Sequence, residues 1–339
     1  MTHRQGDIKK SFNNLLESTG APGQRVRSRI DKNSPINLYA ALTFPHKRVL
    51  LEIGPVKKAY LPEGFTRPRI KGLNITVDSD NSLGEVTLLL ELEQIEAIDV
   101  FVIFVTRVCE EMDNLKKSAD AVRAVIALVE RWRDFFSGNS ELLSDERQTG
   151  LYGELYLMAS LYQSRIPISH LVKAWTGSRR TNQDYEFGGL SIEVKSTAAV
   201  DATTVNITNI LQLDDTGLDS LFLCHVLLDA RQGNEKTLPI LIEFLSSAVA
   251  THAPEMELDF EEKVLLTKYR REHEGHYSNR SYTERAIEFY QVVDDFPRLL
   301  EIDLPTGITK ASYEITLQNC KPFVKMREEV VTIMREHCD

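Results

Sequence analysis

The segment from Asp184 to Thr197 constrains the chain more than any other, because it sets charged residues into a pattern that otherwise reads as buried strand. Two short β-like runs, 184–187 and 190–197, flank Gly188-Gly189, a pair able to supply the positive φ angles of a tight hairpin turn. In the second run Glu193 and Lys195 stand two positions apart, so both project from one face of the strand. Folding the hairpin lays Asp184 alongside them, and two carboxylates and one ammonium converge. Hard divalent cations prefer carboxylate oxygens and keep several waters. Asp184 and Glu193, helped by the Val194 carbonyl, are therefore expected to hold one such ion, with Lys195 facing a metal-bound water.

The bare pattern is weak, since an Asp followed at variable distance by an acidic-x-Lys triplet arises by chance about twice in a chain of this length. Context separates the candidates. Of the triplets Asp7-Ile8-Lys9, Glu193-Val194-Lys195 and Glu261-Glu262-Lys263, only the second follows an Asp at hairpin distance and sits in an apolar frame. The competing reading is a half-exposed hairpin whose outward face carries Ser191, Glu193 and Lys195 as a surface ion pair worth little. Glu154 adds weight to the metal reading. It lies in Gly150-Leu151-Tyr152-Gly153-Glu154, where Gly153 permits close approach of another backbone, and it is expected to supply a further ligand or to orient one. Its alternative is an exposed helical glutamate.

Around this segment the chain alternates helix and strand signals. Asn37 to Phe44, Arg48 to Ile53, Gly72 to Val77 and Glu85 to Leu92 read as strands of an antiparallel sheet, followed by helices over Ile95 to Glu111 and Ala119 to Phe136. Ser137-Gly138-Asn139-Ser140 is a turn cluster, and the boundary between two domains, 1–136 and 137–339, is placed there. Ser144 then caps a helix through Tyr162. After the hairpin come a strand at Thr203 to Thr208, a helical turn at Asn209 to Leu213, a buried strand at Leu221 to Leu228 and a helix at Leu238 to Ala250. A charged stretch, Glu255 to Glu274, precedes strands at Arg285 to Val293 and Ala311 to Leu317 and a closing helix.

An acidic helix residue, an Asp, then Ile192-Glu193-Val194-Lys195-Ser196-Thr197 and a strand ending near Gln212-Leu213 resemble the PD-(D/E)XK nuclease superfamily. The run from Gly150 through Ala174-Trp175-Thr176-Gly177 to Lys195 is similar to a bacterial branch of it associated with restriction and phage-defence genes. The close resemblance covers roughly residues 145–230. One departure is Gln183, which stands where the superfamily name implies proline. The resemblance implies an α/β fold: a restriction-endonuclease-like core, a mixed sheet flanked by helices, preceded by an α+β accessory domain. It also implies hydrolysis of DNA phosphodiesters with Mg2+ or Mn2+. In that chemistry Asp184, Glu193, the Val194 carbonyl and Glu154 serve the metal, Lys195 positions water or offsets charge at phosphorus, and Gln212 orients water or phosphate. A homodimer or a subunit of a defence complex is the expected assembly. A non-catalytic DNA-binding or assembly subunit is the alternative.

Composition limits the partners. The chain has 339 residues, 42% hydrophobic and 27% charged, which excludes disorder, collagen and a disulfide-stapled miniprotein. Forty basic against fifty acidic residues leave a formal charge of -10, which opposes general coating of nucleic acid and requires a local basic supply. Arg179 and Arg180, just before Asp184, and Lys173 are the candidate DNA contacts; the more distant clusters around Arg25, Arg67 and Lys268 read as solvated faces. Trp175 reads as packed beneath its loop in preference to stacking on a base. Cys109, Cys224, Cys320 and Cys338 lack zinc-site spacing, and the His273 and His276 pair is a surface feature. No signal-peptide core and no membrane-spanning apolar run is evident, so a cytoplasmic location is expected.

Overall fold

The structure, a computed structural model, describes residues 3–62, 65, 70, 72–80, 84–132, 142–177 and 182–337. The chain divides into two compact units, 1–140 and 141–339. Phe136 and the turn cluster 137–140 lie outside the described residues.

The first unit opens with helix α1 (His3–Leu16), followed by strands β1 (Arg25–Asp31), β2 (Leu38–Thr43), β3 (Arg48–Lys57), β4 (Leu73–Asp80) and β5 (Glu85–Leu92), then α2 (Ile98–Asp113) and α3 (Ser118–Arg131). The strands form one antiparallel sheet in the order β1-β2-β3-β5-β4. Strand β5 alternates buried and half-buried positions along its whole length, the period-two pattern of a sheet with one covered face. Helix α1 and strand β1 were not expected from the sequence. Residues 25, 27 and 29 of β1 are exposed arginines, and β1 is a sheet edge, so its pattern carries almost no apolar signal. Its charge is offset in part, since Arg25 and Arg27 both pair with the buried Glu52 and Arg25 also lies 3.6 Å from Asp78.

In the second unit, Ser144 caps α4 (Asp145–Gln163) by accepting the Arg147 N–H, as expected. There follow α5 (Ile168–Ala174), β6 (Tyr185–Phe187), β7 (Leu190–Thr197), β8 (Thr204–Ile207), β9 (Ser220–Gln232), α6 (Leu238–His252), α7 (Glu257–Leu266), β10 (Arg280–Gln291), β11 (Tyr313–Thr316), β12 (Val324–Lys325) and α8 (Arg327–Glu336). The main sheet runs β12-β10-β9-β7-β6 and is mixed: β7 and β9 are parallel, the other neighbours antiparallel. Gly188 and Gly189 join β6 to β7 with φ of 58° and 120°, a turn conformation that side-chain-bearing residues resist. The charged stretch after Pro254 holds α7, whose Leu258, Phe260, Val264 and Leu265 are buried beneath its charged face.

Each face of the sheet has its own core. Ile192 and Val194 of β7 pack with Phe222, Cys224 and Val226 of β9 under α4 and α6. The opposite face carries Leu221 and Leu223 against a smaller cluster built from Val205, Ile207, Leu213, Tyr290 and Ile315, where β8 and β11 form a separate two-stranded sheet. Glu193 pairs in register with Leu223 and so points toward this second cluster.

Helix α4 lies close against β7 because Gly153 has no side chain. A Cβ there would stand 1.7 Å from Ser196 Oγ and 2.5 Å from Ser196 Cβ. Gly153→Ala is expected to cost about 1–3 kcal/mol through this overlap, measured as a lower urea midpoint. Adding Ser196→Gly restores part of the loss, whereas Ser196→Ala, which keeps the clashing Cβ, restores less.

Candidate active site

The β6–β7 hairpin places Asp184 opposite the middle of β7. Its Oδ2 accepts the Val194 N–H at 2.7 Å, so Val194 enters the site through its amide. From the other side the Thr176 N–H donates to the Asp184 carbonyl at 2.8 Å. Glu193 is 1% exposed. Its Oε1 lies 2.8 Å from Lys195 Nζ and accepts Gln212 Nε2 at 2.6 Å, while its Oε2 is buried with no hydrogen-bond partner. The half-exposed surface pair is thus not what forms: Ser191 is also buried, and only Lys195 reaches partial exposure.

Gln212 sits in the 3₁₀ turn Ile210–Leu213, anchored by buried Ile210 and Leu213. Its amide orientation is fixed at both ends. Nε2 donates to Glu193, and Oε1 accepts from Lys195 Nζ at 3.2 Å, Thr208 N at 3.0 Å and the Thr208 hydroxyl at 3.1 Å. Glu154, on α4, accepts the Trp175 indole N–H at Oε2 (2.9 Å), and its carbonyl accepts the Tyr185 hydroxyl at 2.8 Å. Trp175 is fully buried and tilted against Phe260, which favours packing over base stacking.

Sequence reasoning missed Thr176, Tyr185 and the indole donor of Trp175. The last had a signal: a buried tryptophan needs an acceptor for its N–H, and carboxylates are the strongest available. Lys173 is exposed in the last turn of α5. Arg179 and Arg180 lie outside the described residues.

The electrostatics follow from three acids sharing one ammonium. Burial raises the Asp184 carboxyl to about 6, against the opposing pull of the Val194 N–H and Lys195. Burial, and then repulsion from Asp184, lift Glu193 well above the usual carboxylate range. Glu154 is raised in the same way, burial first and Asp184 next, with the Trp175 hydrogen bond opposing. Such a cluster attracts cations, and the unpaired Glu193 Oε2 is an oxygen donor with nothing yet to donate to. Hard oxygen donors in this setting fit a divalent ion. Among the described residues, however, no three His, Cys, Asp or Glu side chains already stand in metal-binding geometry.

A family model described as "Putative PD-(D/E)XK family member" (DUF4420) matches residues 8–318. The chain belongs to this family. The match extends well beyond 145–230 into the first unit. Searches of curated proteins and of solved structures give no match. No helix among the described residues is long and apolar enough to cross a membrane.

The raised Asp184 carboxyl has a consequence for stability. Its folded-state value of about 6 exceeds the ordinary 3.8, so its contribution is fully present below pH 3.8 and is lost as pH rises through about 6. In metal-free protein Asp184→Asn removes this loss. The variant is expected to melt about 2–4 °C above the wild type at pH 8 and to converge with it near pH 4, read by thermal unfolding across pH.

Proposed function

We propose that this PD-(D/E)XK family member is a metal-dependent DNA endonuclease that hydrolyses phosphodiester bonds with Mg2+ or Mn2+. The observation that carries the reading is Glu193. It is a carboxylate buried in an apolar strand, with one oxygen shared by Lys195 and Gln212 and the other unpaired, beside Asp184 and Glu154. No requirement of folding explains such a group, because an unsatisfied buried carboxylate oxygen is costly.

In this reading Asp184 and Glu193 hold the ion, with the Val194 carbonyl and Glu154 as supporting donors. A bound divalent cation supplies Lewis-acid polarisation of the phosphate and lowers the pKa of nearby water. Lys195 carries the one ammonium of the site; its partial exposure lets Nζ meet the phosphate and offset charge developing at phosphorus. Gln212 holds Glu193 Oε1 and Lys195 Nζ in one arrangement. Lys173, Arg179 and Arg180 supply backbone contacts to DNA, which an acidic chain needs locally. The first unit serves as an accessory domain that reads DNA or docks a partner. Restriction or phage defence in the cytoplasm, as a homodimer or a subunit of a larger complex, is the setting.

The test is nicking or linearisation of plasmid DNA with Mg2+ or Mn2+. Lys195→Ala is expected to slow single-turnover cleavage by about 10²–10³-fold, the usual effect of removing one transition-state charge partner. Equal rates in wild type and variant would remove Lys195 from the mechanism.

The formal charge of -10 and the long first unit favour a second reading, a non-catalytic DNA-binding or assembly subunit that keeps the fold while a partner cuts. Mn2+ calorimetry separates the two. Loss of binding in Asp184→Asn supports the enzyme, and unchanged heats leave the carboxylates structural.

A further inference from the structure

Gln183 directly precedes Asp184, where the resemblance would place a proline, and it is buried at 7% exposure. Its side-chain Nε2 crosses to the 3₁₀ turn Ile210–Leu213 and donates to the carbonyls of Leu211, at 2.9 Å, and Gln212, at 3.4 Å. A proline has no donor and could not make either bond. Both acceptors are carbonyls, so the amide can face the turn only with its nitrogen.

We infer that Gln183 is a positioning residue, tying the strand end that carries Asp184 to the turn that carries Gln212. It thereby sets the Gln212 amide against Glu193 and Lys195. The inference rests on the nuclease reading for its functional consequence, though the tether itself does not. A turn of four residues has little rigidity of its own, and the last carbonyls of a helical turn lack partners within it. Here they are taken from two sides. Gln183 holds Leu211 and Gln212, and Arg298, almost buried, donates to the Leu213 carbonyl at 2.9 Å while pairing with Asp215 at 3.0 Å.

The strand end is clamped independently, because the Thr176 hydroxyl donates to the Gln183 carbonyl at 2.9 Å. Gln183 is therefore a rigid strut: backbone fixed on one side, side chain reaching 28 residues along the chain on the other. The contact it protects is short. The 2.6 Å bond from Gln212 Nε2 to Glu193 Oε1 does not survive a shift of the turn by an ångström, and Lys195 Nζ would lose Gln212 Oε1 in the same movement.

The experiment is a double-mutant cycle of Gln183→Met, which keeps length and removes the donor, with Gln212→Ala. The readouts are single-turnover cleavage of plasmid DNA with Mn2+ and calorimetric Mn2+ affinity. Gln183→Met alone is expected to slow cleavage by about 10- to 100-fold, the scale of a small misplacement at a reacting centre. In the Gln212→Ala background it adds less than about twofold, because its route is already cut. Additive losses, as from a purely structural role, would overturn the inference, and so would a Gln183→Met enzyme as fast as the wild type.

If the methionine variant does not fold, Gln183→Ala, which leaves space instead of a misfit, carries the same cycle. If wild-type protein neither binds Mn2+ nor cuts DNA, the nuclease reading falls, and the tether is then judged on NMR exchange of the Gln212 side-chain amide. Exchange faster by about tenfold in Gln183→Met upholds it, and unchanged exchange overturns it.

Discussion

The burial of the Glu193 carboxylate is the constraint on which the rest of the second unit depends. Removing a carboxylate from water costs far more than a typical hydrogen bond returns, so it persists only where several partners are held in place around it. Lys195 is delivered by strand periodicity alone, two residues along the same face. Gln212 is delivered by its turn, because Leu213 buries itself in the second core and Ile210 is buried too, which leaves the intervening glutamine facing the strand. Asp184 is delivered by the two-glycine turn, whose positive φ angles allow the hairpin to close in the register that sets it beside Val194. One unpaired oxygen remains after all of them are in position.

The first helix of this unit runs close to the sheet for a separate, local reason. Without a side chain at Gly153 the helix meets Ser196 directly, and the next residue, Glu154, comes within electrostatic reach of Asp184 and Glu193. Trp175 then does two jobs. Its ring fills the core against Phe260, and its N–H directs one oxygen of Glu154. Helix α7 supports this corner from beneath: Lys263, almost fully buried, donates to the Val172 carbonyl at the end of α5, just before Trp175. Packing and polar positioning are not separate regions here, since the residues that pack the loop also orient the acids.

Much of this was legible in the sequence, and the reasons are local. Helices and strands with strong periodicity, such as α2, α3, β5 and β7, announce themselves through spacing. The hairpin is written in its two glycines, and the shared face of Glu193 and Lys195 follows from strand geometry. Elements at edges and under charge were not legible. Strand β1 exposes three arginines, and α7 hides a buried face beneath acidic residues, so neither shows an apolar run.

The sequence by itself determined which residue types are available for chemistry and which of them share a strand, because alternation and turn preference act over a few residues. Only the tertiary structure decided that Glu193 is buried instead of exposed, that Gln212 reaches it across 19 positions, and that Gln183 fastens that turn from 28 positions away. The physical reason is that hydrogen-bond partners and dielectric surroundings come from segments distant in the chain. Propensity says where a strand forms, and only packing says what lies against it.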